Sequence, residues 1–330
     1  MSLSWFITNG MEQLLAIFRA VGDPSRLRIL LLVQGMELAV GEIAQVLQQS
    51  QPRVSRHLRI LAEAGLVERV REGAWVFVRL GLAAVSGPAL AAIDALAANL
   101  PDAADLGAAD RARLAVVRAD RAAAVDSWFA AHAGEWQQER SLHSSEAAVE
   151  AAIGAALGTG ELEAGGLGDL VDVGTGTGRM IELLGGHARS ALGLDRNPEM
   201  LRLARNRLDA AGLTAARVQT GDMYHLPLAA DACDTLVLHQ VLHYADNPAT
   251  VIDEAARVLR PGGRLLVIDL MPHTREELRV ERGHLRLGFA DDAVRGWMDH
   301  AGLSGQIASR LPPASPDELG VTIWLGTALA

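Results

Sequence analysis

The sequence predicts a multidomain fold: a small α+β domain at the amino end, a helical connecting segment, and a larger α/β domain built on a parallel sheet. Three observations predict it. The chain has 330 residues, more than a single hydrophobic core usually serves. The first 80 residues contain helical patterns that end in a short alternating pattern. From Gly168 onward, strand-like and helix-like segments alternate.

Composition limits the possible classes of protein. Half of the residues are hydrophobic, which is enough for two cores, and the net charge is −10. DNA binding requires only a local basic surface, so this charge does not exclude it. The single cysteine, Cys233, excludes an internal disulfide and a multi-cysteine metal site, and it fits a reducing cytosol. Residues Met1–Gly10 do not resemble a signal peptide and no apolar run is long enough to span a membrane, so we expect a cytoplasmic location.

Four helices and a hairpin are predicted in the first 80 residues. Asp23 followed by proline is typical of a helix start, and Ser50 is expected to cap the fourth helix. Val54, Leu58 and Leu61 form the apolar stripe of that helix. The predicted elements are helices over Gly10–Val21, residues 24–34, Gly41–Gln48 and residues 51–64, then strands over Leu66–Val70 and Ala74–Leu80 with a turn at Arg71–Gly73. This order predicts a winged helix-turn-helix.

The fourth helix has a cationic outer face. Between Ser50 and Ile60 there are three arginines and no acidic residue. Residues 1–80 contain nine Arg and seven acidic residues, a net charge of +2 in a chain of net charge −10. A cationic helix of this kind is typical of one that reads the major groove of double-stranded DNA, although an ordinary solvated helix face is the alternative. The predicted DNA-contacting residues are Gln51, Arg53, Ser55, Arg56, His57, Arg59 and, in the hairpin, Arg71.

Three segments resemble the arsenic-repressor (ArsR/SmtB) family of bacterial transcriptional regulators. They are Phe18–Leu30, which is similar to that family's entry helices, Ser50–Leu61, which is similar to its recognition helix, and Ala64–Val67 followed by Trp75–Leu80, which is similar to its wing. The resemblance covers roughly residues 11–100 and implies a homodimer with a helix after the wing at its interface. Pro88–Leu100 fits that helix, and a plain core helix of the same domain is the alternative.

The chain departs from the metal sensors of that family. Those proteins carry cysteines in the stretch that corresponds to Glu37–Ile43, where this chain has Ala39 and Gly41. Neither residue can bind a soft metal ion, which needs thiolate ligands. We therefore expect no metal site of that kind, and any signal must be received elsewhere.

A helical linker is predicted between the two domains. The composition shifts toward alanine, and the domain boundary is expected near Pro101–Ala109. Asp110–Gly134 has a long helical pattern, and we expect this segment to cover the second domain as a lid. Trp128 and Trp136 are candidates to line a substrate pocket or to pack between helix and domain. The predicted domains are therefore residues 1–100, 101–150 and 151–330.

The second domain opens with a nucleotide-binding pattern. Leu170–Arg179 contains a short apolar strand, an acidic residue, glycines at alternate positions and then a helix. Asp195 ends the second predicted strand, 23 residues after Asp172, where a carboxylate holds a ribose diol in such folds. The spacing G-x-G-x-G differs from the G-x-G-x-x-G of dinucleotide binders. The predicted strands are Leu170–Val173, Ser190–Leu194, Val218–Thr220, Cys233–Leu238 and Arg264–Asp269, with an antiparallel closing pair, Gly305–Ala308 and Val321–Gly326; the predicted helices are Pro198–Ala211, Val251–Leu259 and Asp291–Ala301, the second stopped by Arg260–Gly263.

Five ordered motifs in this domain resemble the class I S-adenosylmethionine-dependent methyltransferases of the ubiquinone/menaquinone-biosynthesis type, which have a Rossmann-like sheet. They are Asp172–Gly178, Gly193–Leu201, Gly221–Met223, Asp234–His239 and Leu259–Gly263. The resemblance implies S-adenosylmethionine as cofactor, with S-adenosylhomocysteine as product or effector. The residues that it implies at the cofactor are Asp172, Gly174, Thr175, Gly176, Gly178, Asp195, Arg196, Asp222, Met223 and His239. Helix capping is the alternative role of Asp195 and Asp222.

The catalytic residues are less well indicated than the cofactor residues. Methyl transfer needs mainly in-line positioning, and a base only where the acceptor must lose a proton. Candidate bases are His239, His243 and Tyr244, with His225, His273 and His284 nearby in sequence. Each histidine has a structural hydrogen-bonding role as its alternative. Arsenite methylation would use several thiolates, which a single Cys233 does not supply.

Three functional hypotheses follow. The chain is a DNA-binding regulator that senses S-adenosylmethionine or S-adenosylhomocysteine, or a small-molecule methyltransferase that also regulates its own operon, or an enzyme whose winged helix serves only dimerisation. We favour a DNA-binding regulator fused to an S-adenosylmethionine-binding methyltransferase domain. The sequence does not identify the methyl acceptor, the operator or the sign of regulation.

Overall fold

The computed structural model of the protein describes residues 3–34, 37–72, 74–81, 83–97, 107–117, 119, 145–160, 163, 165–315 and 318–329. The chain forms two compact units, Met1–Ala123 and Ala124–Ala330, and each is considered by itself. Trp128, Trp136 and the second half of the helix predicted over Asp110–Gly134 lie outside the described residues.

The first unit has the predicted helix-turn-helix order. Its helices are α1 (Leu3–Val21), α2 (Pro24–Val33), α3 (Val40–Leu47), α4 (Gln51–Glu63), α5 (Ala83–Ala97) and α6 (residues 108–117). Asp23 caps α2 as predicted, because its Oδ1 accepts hydrogen bonds from the N–H groups of Ser25 and Arg26 at 2.9 and 3.1 Å. Helix α1 begins seven residues earlier than its apolar periodicity predicted.

Two details of these helix starts differ from the prediction. Ser50 is the N-cap residue of α4, but its side chain makes no capping hydrogen bond. Pro52 has no N–H to donate, and the N–H of Arg53 donates instead to the backbone oxygen of Ser50 at 3.0 Å. Helix α5 begins at Ala83, so Pro88 lies inside it and not at its start. Alanine-rich flanks favour helix enough to offset one missing donor.

A three-stranded antiparallel sheet completes the winged domain. Strands β1 (Leu38–Ala39), β2 (Val67–Glu72) and β3 (Trp75–Leu80) are arranged in the order β1-β3-β2. The predicted hairpin is present, but Glu72 pairs with Trp75, so Arg71 and Glu72 belong to β2 and not to a turn. Strand β1 was not predicted, because two residues are too few to show alternation.

The core of the first unit confirms the predicted stripe of α4. Val54, Leu58 and Leu61 are fully buried and pack with apolar residues of α2 and α3. The unit also extends further than predicted. Asp110, placed by the sequence in the linker, is 4% exposed and forms two 2.6 Å hydrogen bonds with the guanidinium of Arg28. This partly buried pair joins α6 to α2, a long-range contact that the composition shift near residue 101 did not reveal.

The second unit has the predicted doubly wound architecture. Its helices are α7 (Glu146–Leu157), α8 (Arg179–Leu184), α9 (Pro198–Ala210), α10 (Pro248–Val258), α11 (Glu277–Glu281) and α12 (Asp291–His300). Its strands are β4 (Asp169–Val173), β5 (Ser190–Asp195), β6 (Ala216–Thr220), β7 (Cys233–His239), β8 (Leu259–Leu270), β9 (Leu303–Leu311) and β10 (Val321–Ala328). The seven-stranded sheet has the order β6-β5-β4-β7-β8-β10-β9. Strands β4 to β8 are mutually parallel, and β10 runs antiparallel to β8 and β9.

The sheet differs from its prediction mainly at strand ends. Strand β8 begins at Leu259, which pairs with Cys233, so Arg260–Gly263 is the irregular start of a strand and not only the end of a helix. Strand β9 is longer than the predicted Gly305–Ala308, and after the buried Leu303 its exposed and half-buried residues alternate, as expected at the edge of the sheet. No helix in the described part of the chain has the length and apolar character needed to cross a membrane.

Candidate functional site

In the second unit, the sequence motifs lie at the carboxyl ends of the parallel strands, which is called here the carboxyl edge of the sheet. Strand β4 has β5 on one side and β7 on the other, and the direction in which the chain adds strands reverses between β4 and β7. In open parallel sheets, ligands bind outside the carboxyl ends of the strands at this switch point. The loops after β4, β5, β6 and β7 all begin at that edge, because these strands are parallel.

The glycine loop after β4 is shaped by backbone conformations that glycine favours. Gly174, Gly176 and Gly178 have φ of 71°, 51° and 82°. A Cβ atom on Gly174 would lie 2.5 Å from Cγ2 of Val241, and one on Gly178 would lie 3.2 Å from Cβ of Ala204. Two of the three glycines therefore permit close packing of the loop against its own protein, in addition to any approach by a ligand.

Asp195 fastens this loop to the next strand. Its Oδ2 accepts a hydrogen bond from the N–H of Gly176 at 2.8 Å, and its Oδ1 accepts one from the N–H of Asn197 at 2.8 Å. Burial raises the pKa of Asp195, and these two backbone donors oppose the shift. Each carboxylate oxygen has a second lone pair, so the group can still accept hydrogen bonds from a ligand.

Asp172 and Thr175 brace the start of the loop. Asp172 is 1% exposed, and its Oδ2 accepts a hydrogen bond from the Thr175 hydroxyl at 2.6 Å. The N–H groups of Gly174 and Thr175 both donate to the backbone oxygen of Leu194. The observed contact of Asp172 is therefore with the glycine loop itself.

The remaining predicted cofactor residues follow β5, β6 and β7. Asp222 is exposed, and its Oδ1 accepts a hydrogen bond from the N–H of Tyr224 at 3.0 Å. Met223 is half-buried against the main apolar cluster, Arg196 is exposed, and His239 is half-buried at the end of β7. All ten predicted cofactor residues therefore lie at the carboxyl edge of the sheet.

Two of the three candidate bases, His243 and Tyr244, are buried in the protein interior. His243 is 2% exposed, and its Nδ1 lies 2.8 Å from Oδ1 of the fully buried Asp269. Asp269 Oδ2 also accepts hydrogen bonds from the N–H groups of Leu242 and His243 at 3.0 and 3.2 Å. Burial raises the pKa of Tyr244 well above its ordinary value, which disfavours its use as a base. Of the three candidates, His239 alone is less than fully buried.

His284 extends this buried group, His273 is half-buried, and His225 is exposed. The ring of His284 lies 4.3 Å from that of His243. Burial and the nearby His243 lower the pKa of His273 to about 4. Its Nδ1 accepts a hydrogen bond from the N–H of Arg275, so the neutral ring carries its proton on Nε2.

The first unit presents a cationic helix face that is smaller than predicted. Gln51, Arg53, Arg56 and Arg59 on α4 and Arg71 on β2 are exposed, and Ser55 is half-buried. His57 does not belong to this face. Its side chain is 12% exposed, and its Nδ1 lies 3.7 Å from Asp23 Oδ1, because position 57 follows the core residue Val54 by one helical turn. Burial lowers the pKa of His57, with Asp23 opposing the shift.

Sequence reasoning missed two residues at the carboxyl edge. Asp269 ends a predicted apolar strand, as Asp195 does, and an acid in that position was a usable signal. Gln240, which follows β7, has φ of 53°, in the left-handed region where non-glycine residues are uncommon. Nothing in the residue types around Gln240 predicts that conformation.

The two units define a winged helix-turn-helix domain joined to a methyltransferase-type α/β domain, and the comparisons agree. Residues 23–69 match the model of bacterial regulatory proteins of the arsR family, and residues 171–267 match the model of the methyltransferase domain. An uncharacterised HTH-type transcriptional regulator of Methanocaldococcus jannaschii is 45% identical over 67 residues, which cover 20% of this chain and 75% of that protein.

The second domain has its own relatives. The demethylmenaquinone methyltransferase of Tropheryma whipplei is 34% identical over 101 residues, which cover 31% of this chain and 41% of that protein. The YcgJ protein of Bacillus subtilis aligns with a TM-score of 0.47 at 17% identity, over 54% of this chain and 98% of that one. The matched segments span 75% of the M. jannaschii regulator, 41% of the T. whipplei enzyme and 34% of an uncharacterised transposon protein of Streptomyces fradiae.

The first domain is a helix-turn-helix domain of the arsR family, and the second domain is a methyltransferase domain. The predicted fold class and both family resemblances are thereby confirmed.

The pKa of His273 predicts acid sensitivity of the second unit. The pKa of His273 in the folded state, about 4, lies below its ordinary value of 6.5. Between pH 4 and pH 6.5 the folded state therefore binds fewer protons than the unfolded state. The free energy of unfolding should therefore fall as the pH drops from 6.5 to 4 and lose no more to this group below 4. Urea unfolding at pH 7 and pH 5 should show a smaller acid loss for His273→Gln than for the wild type. The exposed His225→Gln is the control, and equal acid losses in wild type and His273→Gln would contradict the assignment.

Proposed function

We propose that this chain is a transcriptional regulator that binds operator DNA through α4 and binds S-adenosylmethionine in its methyltransferase domain. The bound cofactor serves to methylate a small molecule, to report the supply of methyl donor to the promoter, or both. One observation carries the proposal: the glycine loop of an intact methyltransferase site, held by Asp195, occurs in the same chain as the exposed arginines of α4.

The proposed DNA-binding surface consists of Arg53, Arg56 and Arg59. All three are exposed on one helix whose opposite face is the fully buried stripe of Val54, Leu58 and Leu61. A helix held in this way can enter the major groove, where guanidinium groups bind guanine edges and phosphates. Gln51, Ser55 and Arg71 extend the proposed surface, and His57 is removed from it.

The proposed cofactor site fits S-adenosylmethionine in its donor set. Gly176 offers backbone without a side chain, Asp195 offers free lone pairs at the end of β5, and the exposed carboxylate of Asp222 lies at the end of β6. We assign Asp195 to the ribose hydroxyls and Asp222 with Met223 to the adenine. The bound cofactor supplies an electrophilic methyl group on a sulfonium. The protein's part is to align the acceptor and exclude water, and His239 is the remaining candidate for removing a proton.

Signal reception by the cofactor site is the part of the proposal that links the two domains in function. Ala39 and Gly41 stand where metal sensors of the family have thiolates, so any signal reaches this regulator through a ligand other than a soft metal ion. Either cofactor form changes operator affinity only if it binds the DNA-competent and DNA-incompetent states differently. The alternative is an enzyme whose winged helix serves only dimerisation, and the DNA experiment below separates the two.

A homodimer is part of the proposal. Met11, Leu14, Leu15 and Phe18 form an exposed apolar stripe on α1, with Phe18 62% exposed. Their spacing, i, i+3, i+4 and i+7, places them on one helix face, which suits a second copy of the same helix. Residues 98–100 of the predicted interface helix Pro88–Leu100 lie outside the described residues, and α5 supplies the rest.

The double variant Arg53→Ala, Arg56→Ala should bind DNA weakly. Fluorescence anisotropy with labelled DNA from upstream of the chain's own coding sequence should show a loss of affinity of roughly 1–3 kcal/mol for each arginine that contacts a base. Arg202→Ala, Arg205→Ala, on exposed positions of α9, is the matched control. Either S-adenosylmethionine or S-adenosylhomocysteine should shift the wild-type curve. Unchanged DNA binding in the double variant would support the dimerisation-only enzyme, and no shift by either compound would exclude the sensor.

Charge on the α1 stripe should disrupt the dimer. Leu14→Glu with Phe18→Glu places two carboxylates in the proposed apolar contact, where their desolvation opposes association. Sedimentation velocity should show a dimer for the wild type and a monomer for this variant. Val116→Glu, at a similarly exposed position that belongs to α6 and not to α1, should remain a dimer. A wild-type monomer, or a dimer that both variants keep, would contradict the interface.

A further inference from the structure

The chain passes between its two units once. The first unit ends at Ala123 and the second begins at Ala124, so a single covalent connection joins the winged helix-turn-helix domain to the methyltransferase domain. Helix α6 is the last helix that the described residues of the first unit contain, and it precedes this connection. A signal that travels along the chain from the cofactor site to α4 therefore passes through α6.

Few side chains attach α6 to the first unit. Asp110 and Val117 are 4% and 7% exposed, and Leu114 is half-buried against the same apolar cluster as Val117. The other residues of the helix are exposed or half-buried. So short a helix is marginally stable in water on its own, so the formation of α6 depends on these contacts. Elements held by few buried contacts are those that open most readily.

The main polar contact of α6 is the pair of Arg28 and Asp110. Nε and Nη2 of Arg28 donate to the two carboxylate oxygens of Asp110 at 2.6 Å each, which is the two-pronged geometry of strong arginine–carboxylate pairs. Arg113 adds a third hydrogen bond to this carboxylate at 3.0 Å. The Arg28 side chain is 34% exposed, so water can reach the pair and replace its hydrogen bonds when α6 leaves. The pair thus holds α6 and can also open.

Arg28 belongs to a helix that shares its core with α4. Ile29, the next residue on α2, is fully buried in the same apolar cluster as Val54 and Leu58 of α4. Val117 of α6 belongs to that cluster as well. Close-packed side chains transmit a displacement, because the interior has little free volume. Docking or release of α6 therefore affects the residues that hold α4 in place.

We propose that the Arg28–Asp110 pair is the regulatory joint through which the cofactor site controls α4. In the docked state of α6 the pair is formed, as in this structure, and in the undocked state both side chains are hydrated. S-adenosylmethionine or S-adenosylhomocysteine changes operator affinity by binding these two states with different affinity. The inference rests on the proposed function, because it presupposes a cofactor signal. Arg28 and Asp110 are positioning residues that act through α4.

The coupling factor measures the joint directly. Fluorescence anisotropy on the full chain, with labelled DNA from upstream of its own coding sequence, gives the operator affinity without cofactor and with saturating S-adenosylmethionine or S-adenosylhomocysteine. The larger of the two affinity ratios is the coupling factor, and allosteric ligands typically give about 5- to 150-fold. Calorimetric titration of the same compound with and without the DNA should return the same factor for the wild type, because coupling is reciprocal.

Variants on both sides of the pair should lower the coupling factor toward one. Asp110→Asn cannot accept hydrogen bonds from both nitrogens of Arg28, and Arg28→Gln removes the charge at a partly exposed position. Each variant should still bind the DNA and the cofactor, with affinities inside the range that the two states of the wild type span. Arg28→Lys keeps the charge without the two-pronged contact and should keep part of the coupling. A purely structural role would not remove coupling while sparing both affinities.

The pair of Arg79 and Glu68 is the matched control. It also joins an arginine of the first unit to a carboxylate by two hydrogen bonds, at 3.0 and 2.9 Å, and Arg79 is 32% exposed, much like Arg28. It lies between β2 and β3 and not on α6. Glu68→Gln should therefore keep the wild-type coupling factor.

Amide hydrogen exchange should show the two states of α6. Peptides that cover residues 107–117 of the wild type should exchange at different rates with and without the cofactor that shifts operator affinity. In Asp110→Asn they should exchange alike in both conditions. Helix α3, with Ile43 and Val46 fully buried, is the reference and should not change.

The outcomes separate the joint from the proposed function. If Asp110→Asn and Arg28→Gln keep the wild-type coupling factor, or both lose DNA binding altogether, the pair is not a regulatory joint, while cofactor sensing stands. If Asp110→Asn alone fails to fold, Arg28→Gln decides. Exchange in α6 that does not respond to the cofactor also overturns the joint. If neither compound changes the operator affinity of the wild type, the sensing part of the proposed function fails and the joint fails with it.

Discussion

The hydrogen bond from Gly176 N–H to Asp195 Oδ2 is the contact on which the candidate site depends. The glycine loop after β4 has no side chains at positions 174, 176 and 178 that could hold it in place. Glycine at these three positions, each with positive φ, also leaves the backbone many alternative conformations. Asp195 fixes one of them by tying the loop to the end of β5, and through Asn197 it fixes the start of α9 as well. One carboxylate thus positions a loop, a strand end and a helix.

The same arrangement occurs on the other side of the switch point. Asp269, near the end of β8, holds the turn that follows β7, as Asp195 on β5 holds the loop that follows β4. In each case the acid belongs to the strand next to the one whose loop it fixes. The two braced loops meet where Val241 packs on Gly174, so the rigidity of each supports the other. Preorganised backbone of this kind lowers the entropy cost of binding a small ligand.

Local sequence patterns predicted the features that depend on neighbouring residues alone. Glycine spacing, acids after apolar strands, the Asp23–Pro24 helix start and period-2 alternation predicted the succession of elements along the chain and both domain classes. The errors came from long-range contacts. Asp110 belongs to the first unit because of Arg28, 82 positions earlier, and His57 leaves the cationic face because it packs toward Asp23. The left-handed conformation of Gln240 accompanies a backbone hydrogen bond to Ile268 of β8, and no pattern around residue 240 predicts it.

Calorimetric titration with S-adenosylhomocysteine tests most directly whether Asp195 organises a site for S-adenosylmethionine. The wild-type chain should bind one equivalent. Asp195→Asn should bind far more weakly, because the amide oxygen can accept only one of the two backbone N–H groups while its NH₂ opposes the other. Asp209→Asn, exposed at the end of α9, should bind as the wild type does. A variant at position 195 that binds with wild-type affinity, or a wild-type chain that does not bind, would contradict the account.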